Sequence, residues 1–310
     1  MSSDALQTWS ASAISDAQRA SYVAFLHREP YVIDAYRLSF TVGVREDYTY
    51  QSSLRNVDVP IEMLDNHYRN PDLDRYIERF EEYQPSVGVL GDAYTVQEAE
   101  EYNRAARELK SKFPDTELII VPKCRAAIDS IDDDMVLGYP MGYSDKTADE
   151  YTNIVDWRDR RVHLLGASPP KQHEIIEELT QPRVTGEAPA DIVGVDWNGL
   201  HLAAVKGQYF SPDGYVDADY RSIRDTVRKS LEEIKRYWQS VGVWPATKKD
   251  HNPLSTEPMD RVWAVDGAHA DSHDLEDAIV VEYEDSPTLA FRSEVERDHI
   301  EWREGLTPVE

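Results

Sequence analysis

The chain has 310 residues, of which 59 are Asp or Glu, 33 are Lys or Arg and one is Cys, for a formal net charge of −26. A 41% hydrophobic and 10% aromatic content builds a full-sized core, which excludes a disordered acidic tail. Cys124 alone excludes a disulfide framework and any zinc site made of several thiolates.

In chain order, Ala17 to His27 has helical spacing, and Tyr31 to Arg37 and Ser39 to Arg45 have strand character. Residues 1–55 are therefore expected to form a helix-and-hairpin extension. From Pro60 the pattern changes to short apolar runs alternating with amphipathic helices. The runs are Pro60 to Leu64, Ser86 to Leu90, Glu117 to Val121, Met135 to Gly138, Val162 to Leu165 and Asp191 to Val195. Helix starts are marked by Asn70-Pro71, by Thr95 with Glu98 as a capping box opening a helix to about Lys112, and by Ser168-Pro169. Tyr220 to Ser240 is a long helix with Ile223, Val227, Leu231, Ile234 and Trp238 on one side, and Pro245 to Pro258 is a loop. Arg261 to Val265, Ala278 to Tyr283 and Thr288 to Phe291 suggest a small β-rich ending.

Repeated strand–helix units without a GxGxxG or GxxxxGK[ST] loop favour an α/β fold of the (β/α)8, TIM-like barrel type over a dinucleotide-binding sheet, with a flavodoxin-like sheet as the alternative. The expected organisation is the extension (1–55), a barrel catalytic region (56–242) and a loop with a small C-terminal β-containing region (243–310). No apolar run approaches the ~18 residues of a membrane span, and residues 1–20 lack a basic start followed by an apolar stretch. A cytoplasmic location without membrane contact is the expectation. Acids scattered along the chain, with 23 Arg against 10 Lys, resemble the proteins of salt-accumulating archaea and their viruses. At a screening length of about 3 Å in molar salt, net charge does not exclude a nucleic-acid partner.

In a barrel, residues just past each strand's carboxyl end share one mouth. Those positions hold Asp65-Asn66, Gly91-Asp92, Pro122-Lys123, Gly138-Tyr139-Pro140-Met141-Gly142, Gly166-Ala167-Ser168 and Asp196-Trp197-Asn198. Three strands thus deliver an Asp to one rim. Carboxylates sharing a partly dry cavity separate in proton affinity, so that one stays an anion while another holds a proton. Displacement at a sugar C1′ needs that combination of nucleophile and acid. A helix-capping role for each Asp taken singly is the competing explanation.

His163 to Pro170, a helix, and Ala190 to Asn198 together resemble the late-barrel segment of tRNA-guanine transglycosylases and their DNA-modifying 7-deazaguanine relatives. The resemblance runs from about Pro60 to Gly199. It implies that Asp196 is the nucleophile and Asp65 the proton shuttle. It also implies that Asp92 and the loop bearing Gly138, Tyr139, Met141 and Gly142 contact the base. Asn198 orients Asp196, binds the nucleoside or caps the next helix; Tyr94 and Trp197 are further candidates for an aromatic wall. Lys123 and Lys171 are the expected phosphate contacts, whereas Arg221, Arg224, Arg228 and Lys229 read as a solvated helix face.

The departures are Asn66-His67-Tyr68 in place of Ser-Gly-Gly-Phe, Pro122 in place of the base-reading Gln, and no three-Cys, one-His zinc site. They imply the zinc-less DNA-acting branch over the tRNA enzymes, with no cofactor and no metal. The implied reaction exchanges guanine for a 7-deazaguanine such as preQ0 in DNA, less so in RNA. A barrel that binds nucleic acid or protein without catalysis, and a glycosidic hydrolase, are the alternatives. His269, Asp271, His273 and Asp274 have the residue types of a metal site, although their segment reads as loop.

Overall fold

A computed structural model describes residues 18–27, 31–47, 59–142, 146–184 and 186–246, with the backbone of Ala278–Tyr283 and Ser286–Phe291. Eight parallel strands close into a barrel in strict chain order: β1 (Tyr22–Leu26), β2 (Thr41–Arg45), β3 (Met63–Asp65), β4 (Val87–Ala93), β5 (Glu117–Pro122), β6 (Val136–Pro140), β7 (Arg161–Leu165) and β8 (Asp191–Asp196). Pairing of Ala24 with Asp196 joins β8 back to β1. The helices between and after the strands are α1 (Tyr31–Arg37), α2 (Leu73–Tyr83), α3 (Val96–Lys112), α4 (Arg125–Ser130), α5 (Pro169–Thr180), α6 (Gly199–Val205) and α7 (Ile223–Ser240). The fold is a (β/α)8, TIM-like barrel. All six strand runs read between Pro60 and Val195 are barrel strands.

The N-terminal expectation needs correction. Tyr22–Leu26 is the first barrel strand instead of part of a helix, and Tyr31–Arg37 is a helix instead of a strand. Residues within 1–55 therefore supply a complete β–α–β unit of the barrel and are not an extension. Tyr31 to Tyr36 are all buried, Asp34 included, so the segment lacks the one-sided apolar stripe by which a surface helix is recognised. Asp34 tolerates burial because Arg224 on α7 holds it through two bonds, Nε to Oδ2 at 2.7 Å and Nη2 to Oδ1 at 3.2 Å.

Two of the local start signals behave as expected, and one shifts. The Thr95–Glu98 capping box opens α3, and Pro169 stands in the first turn of α5. Asp72, two residues after Asn70, is the cap of α2: its side chain accepts from the Arg75 N–H at 3.0 Å, and Pro71 lies outside the helix. On α7 the apolar stripe Ile223, Val227, Leu231, Ile234 and Trp238 is buried. Between α6 and α7 lies an antiparallel pair that the sequence reading did not include, β9 (Gln208–Ser211) and β10 (Gly214–Asp217). Beyond it, β11 (Ala278–Tyr283) pairs with β12 (Ser286–Phe291) as a small antiparallel sheet. Arg261 to Val265 and the His269 to Asp274 group lie outside the described residues.

The barrel is a packed core and not a pore. Tyr22, Met63, Val87, Val89, Ile119, Val121, Val136 and Val193 fill its interior, while Leu64, Leu90, Ile120, Leu137, Leu164, Ile192 and Val195 face the helices. Gly194 makes room for the largest interior pair: a Cβ there would collide with the Tyr22 ring and lie 2.8 Å from His163 Nδ1. The Tyr22 hydroxyl and that nitrogen are hydrogen-bonded at 2.9 Å. Among the described residues, no helix is long and apolar enough to cross a membrane.

Candidate functional site

Above this core the carboxyl ends of the strands surround a cavity of about 370 Å³, within the usual small-molecule range of ~300–1,000 Å³. Val89, Val121, Pro140 and Leu165 provide apolar wall, and Asp65, Asp92, Lys123 and Asp196 bring charge. The three aspartates read from the sequence thus meet in one cavity, from β3, β4 and β8.

Strand alternation alone would not aim them all inward. On β3, Met63 points in, Leu64 out and Asp65 in, as period two requires. On β4, Val87 and Val89 point inward, which would send position 92 outward. A register shift restores it: Val89 pairs with Ile119 but Gly91 pairs with Ile120, so Leu90 is an extra residue. The same device acts on β8, where Ile192 pairs with Val162 and Gly194 with His163. Val193 and Asp196 consequently both face inward while Val195 faces out. Two bulges re-aim two of the three carboxylates.

The carboxyls differ in environment. Burial pushes the Asp196 carboxyl up to about 6, opposed by the Gly166 N–H, which donates to Oδ1 at 3.0 Å. Asp65 is raised well above the usual carboxylate range, first by burial and then by the negative field of Asp196, with Asp92 and Glu46 adding to it. The Asn66 N–H donates to Asp65 Oδ1 at 2.9 Å, which only partly offsets these effects. Asp92 has a cation: Lys123 Nζ lies 3.3 Å from Oδ2, with the lysine side chain 1% exposed. Both carboxyls therefore bind a proton more tightly than a free aspartate, and the negative field of Asp196 biases Asp65 further toward its protonated form.

Gly166 and Ala167, with φ of 75° and 60°, place two successive residues in the left-handed region at the β7–α5 turn. That turn aims the Gly166 N–H at Asp196. Gln172 on α5, buried, stitches the turn to β8 by donating Nε2–H to the carbonyls of Gly166 and Asp196, each at 2.7 Å. Its place inside a helix gave no sign of this in the sequence.

Asn198 and Gly142 also line the cavity. Asn198 Oδ1 accepts from the Leu26 N–H at 3.0 Å and makes no cap bond to α6, so it ties β1 to the β8–α6 junction instead of capping a helix. Five expected base contacts or walls lie outside the cavity lining, Tyr94 among them. Tyr139 points away from the cavity and packs against Trp157 with ring centres 4.7 Å apart. Gly138 faces the barrel interior, where a Cβ would sit 2.7 Å from Val121 Cγ2. Met141 packs into the outer core, and Trp197 does so against Phe210. The period-two rule explains Tyr139: Pro140, its neighbour, takes the inward position.

Of the two expected phosphate contacts, Lys123 is buried in the cavity lining beside Asp92, and Lys171 is exposed on α5 outside that lining. Arg224 and Arg228 engage Asp34, and Lys229 pairs with Glu233 at 2.9 Å, which satisfies that helix face within the fold.

The sequence reading missed the wall formed by His27, Tyr68, His201 and Leu202. His27 and His201 have ring centres 4.6 Å apart, and His201 Nε2 is 3.1 Å from the Tyr31 hydroxyl. His27 directly follows β1, so recognition of that strand would have put it on the rim. Among the described residues, no group of three or more His, Cys, Asp or Glu side chains has a metal-binding arrangement.

A protein-family profile described as a family of unknown function (DUF6610) matches residues 35–239, from within α1 almost to the end of α7. The chain belongs to this family. The matched span contains Asp65, Asp92, Lys123 and Asp196, so these cavity charges are part of the DUF6610 region. No curated protein matches the chain. Among solved structures, the YdjI aldolase from Escherichia coli K12 is similar at 14% identity and a TM-score of 0.41, over 74% of this chain and 94% of that one.

Proposed function

We propose that this DUF6610 protein exchanges a purine base at C1′ of a nucleoside in DNA through a covalent Asp196–sugar intermediate. The observation that carries the reading is the meeting of Asp65 and Asp196 in one small cavity, one carboxyl suited to hold a proton and the other to act as an anion. Asp196 attacks C1′, and the C1′–N bond breaks as Asp65 gives its proton to the leaving guanine. An incoming 7-deazaguanine then passes its N9 proton to Asp65 and bonds to C1′, which releases Asp196. Gly166 N–H holds one Asp196 oxygen and leaves the other for attack. Asp92, kept close to Lys123, accepts from N–H groups of the base.

A cavity of about 370 Å³ supports a single extruded nucleoside and is far too small for a stacked duplex step. The test incubates guanine-containing DNA oligonucleotides with the protein, traps any adduct on a denaturing gel and follows uptake of labelled guanine or preQ0. Wild type is expected to form an adduct and to exchange the base, and Asp196→Asn to do neither. Release of guanine without uptake of either base would make the protein a hydrolase. An unreactive wild type with DNA and with tRNA would remove the enzymatic reading.

A further inference from the structure

Several polar groups of the mouth are hydrogen-bonded or ion-paired within the fold, and the side-chain nitrogen of Asn66, next to Asp65, is not. Asn66 is 5% exposed and lines the cavity, and its backbone N–H is committed to Asp65 Oδ1. Its side-chain Nδ2 is buried and has no hydrogen-bond partner among the described residues. The contrast with the neighbouring polar groups is direct. Lys123 Nζ has Asp92, Asn198 Oδ1 has the Leu26 N–H, and Gln172 Nε2 has two carbonyls. A buried amide donor without an acceptor destabilises the protein that carries it, and an apolar side chain of similar shape would avoid the cost.

We propose that Asn66 is a specificity-determining residue whose Nδ2–H is completed by an acceptor atom of the bound ligand, a carbonyl oxygen or ring nitrogen of the heterocycle that lies against Asp65. This rests on the nucleobase reading of the cavity and adds to it a donor beside the proton-bearing carboxyl. The chain couples the two groups: the same residue fixes Asp65 through its backbone and meets the ligand through its side chain. Asp65 and Asn66 together then present an O–H and an N–H to one edge of the base. A heterocycle offering two adjacent acceptors is preferred over one that presents a donor at the second position. Sites built to satisfy a buried donor reject analogues lacking the acceptor more strongly than apolar pockets reject a change of size.

The test uses Asn66→Leu and Asn66→Ala in the full chain. Two quantities are measured: melting temperature without ligand, and binding of guanine and guanosine by calorimetry at pH 7. Removal of an unsatisfied donor should leave Asn66→Leu as stable as wild type or raise its melting temperature by about 2 °C. Both variants should bind either probe at least tenfold more weakly than wild type. Unchanged affinity in both variants would overturn the proposal. If wild type binds neither probe, the nucleobase reading fails on its own, and the melting temperatures still decide on Asn66. A drop of several degrees in both variants would then show that its amide is satisfied within the fold and overturn the proposal, whereas stability equal to or above wild type would sustain a donor reserved for a different ligand.

Discussion

Two parts of the molecule bury carboxylates, and they treat them in opposite ways. On the flank, Asp34 of α1 is gripped by Arg224 through two bonds and approached by Arg228 at 3.3 Å, so its charge is matched where it lies. At the mouth, Asp65 has a single backbone N–H and Asp196 a single backbone N–H, and the largest influence on both is loss of water. The first arrangement joins α1 to α7 and serves the fold. The second leaves carboxyls whose proton affinities are displaced, which is useful for chemistry and unhelpful for stability.

The largest expected effect breaks the flank. Asp34→Ala strands Arg224 without its partner in a buried position, and unfolding by urea should show a loss of about 3–5 kcal/mol at pH 7. The mouth should respond with the opposite sign. An unfolded Asp196 releases its proton near 3.8 and the folded one near 6, so the folded state holds the extra proton between those values and loses stability as pH rises through that window. Asp196→Asn removes the liability and retains an oxygen for the Gly166 N–H. It should therefore gain about 3 kcal/mol over wild type at pH 8 and nothing below about pH 4, read from urea unfolding at both values. A loss at pH 8 would mean that Asp196 is matched as Asp34 is.

The comparison also bears on what the residues reveal before a structure is known. The array from Pro60 to Val195 announces itself because each strand is a short apolar run and three of its four helices, α4 being the exception, carry a cap or a first-turn proline. Asp65, Asp92 and Asp196 were legible because each stands within two residues of the end of such a run. The segment from Tyr22 to Arg45 was harder, since α1 is buried on nearly all sides and its sequence Tyr31-Val-Ile favours strand by composition. The match of Asp34 to Arg224, 190 positions away, has no local signature. Tyr139 shows the other limit: a residue can be at a strand end and still face the helices, and inward aim depends on bulges such as those at Leu90 and Val193 that period-two counting does not register.

Two smaller effects sharpen the account of how Asp196 is held. Gln172→Leu leaves the carbonyls of Gly166 and Asp196 without their donor in a buried place, with an expected loss of about 2 kcal/mol by urea unfolding. A merely packing role for Gln172 predicts no such loss. Gly166→Ala puts a side chain where φ is 75° and where its Cβ would approach the Gly142 carbonyl oxygen at 3.3 Å. The expected cost is about 1 kcal/mol, seen as a slightly lower denaturation midpoint.

The central claim is that Asp65 and Asp196 occupy one cavity and hold their protons unequally. Carbon-13 chemical shifts of the aspartate carboxyls, followed against pH in wild type and in Asp65→Asn, test it most directly. The account predicts Asp196 titrating near 6 and Asp65 at a higher pH in wild type, with Asp196 still raised in the variant because burial is its main cause. Both carboxyls titrating together near 4 would contradict it.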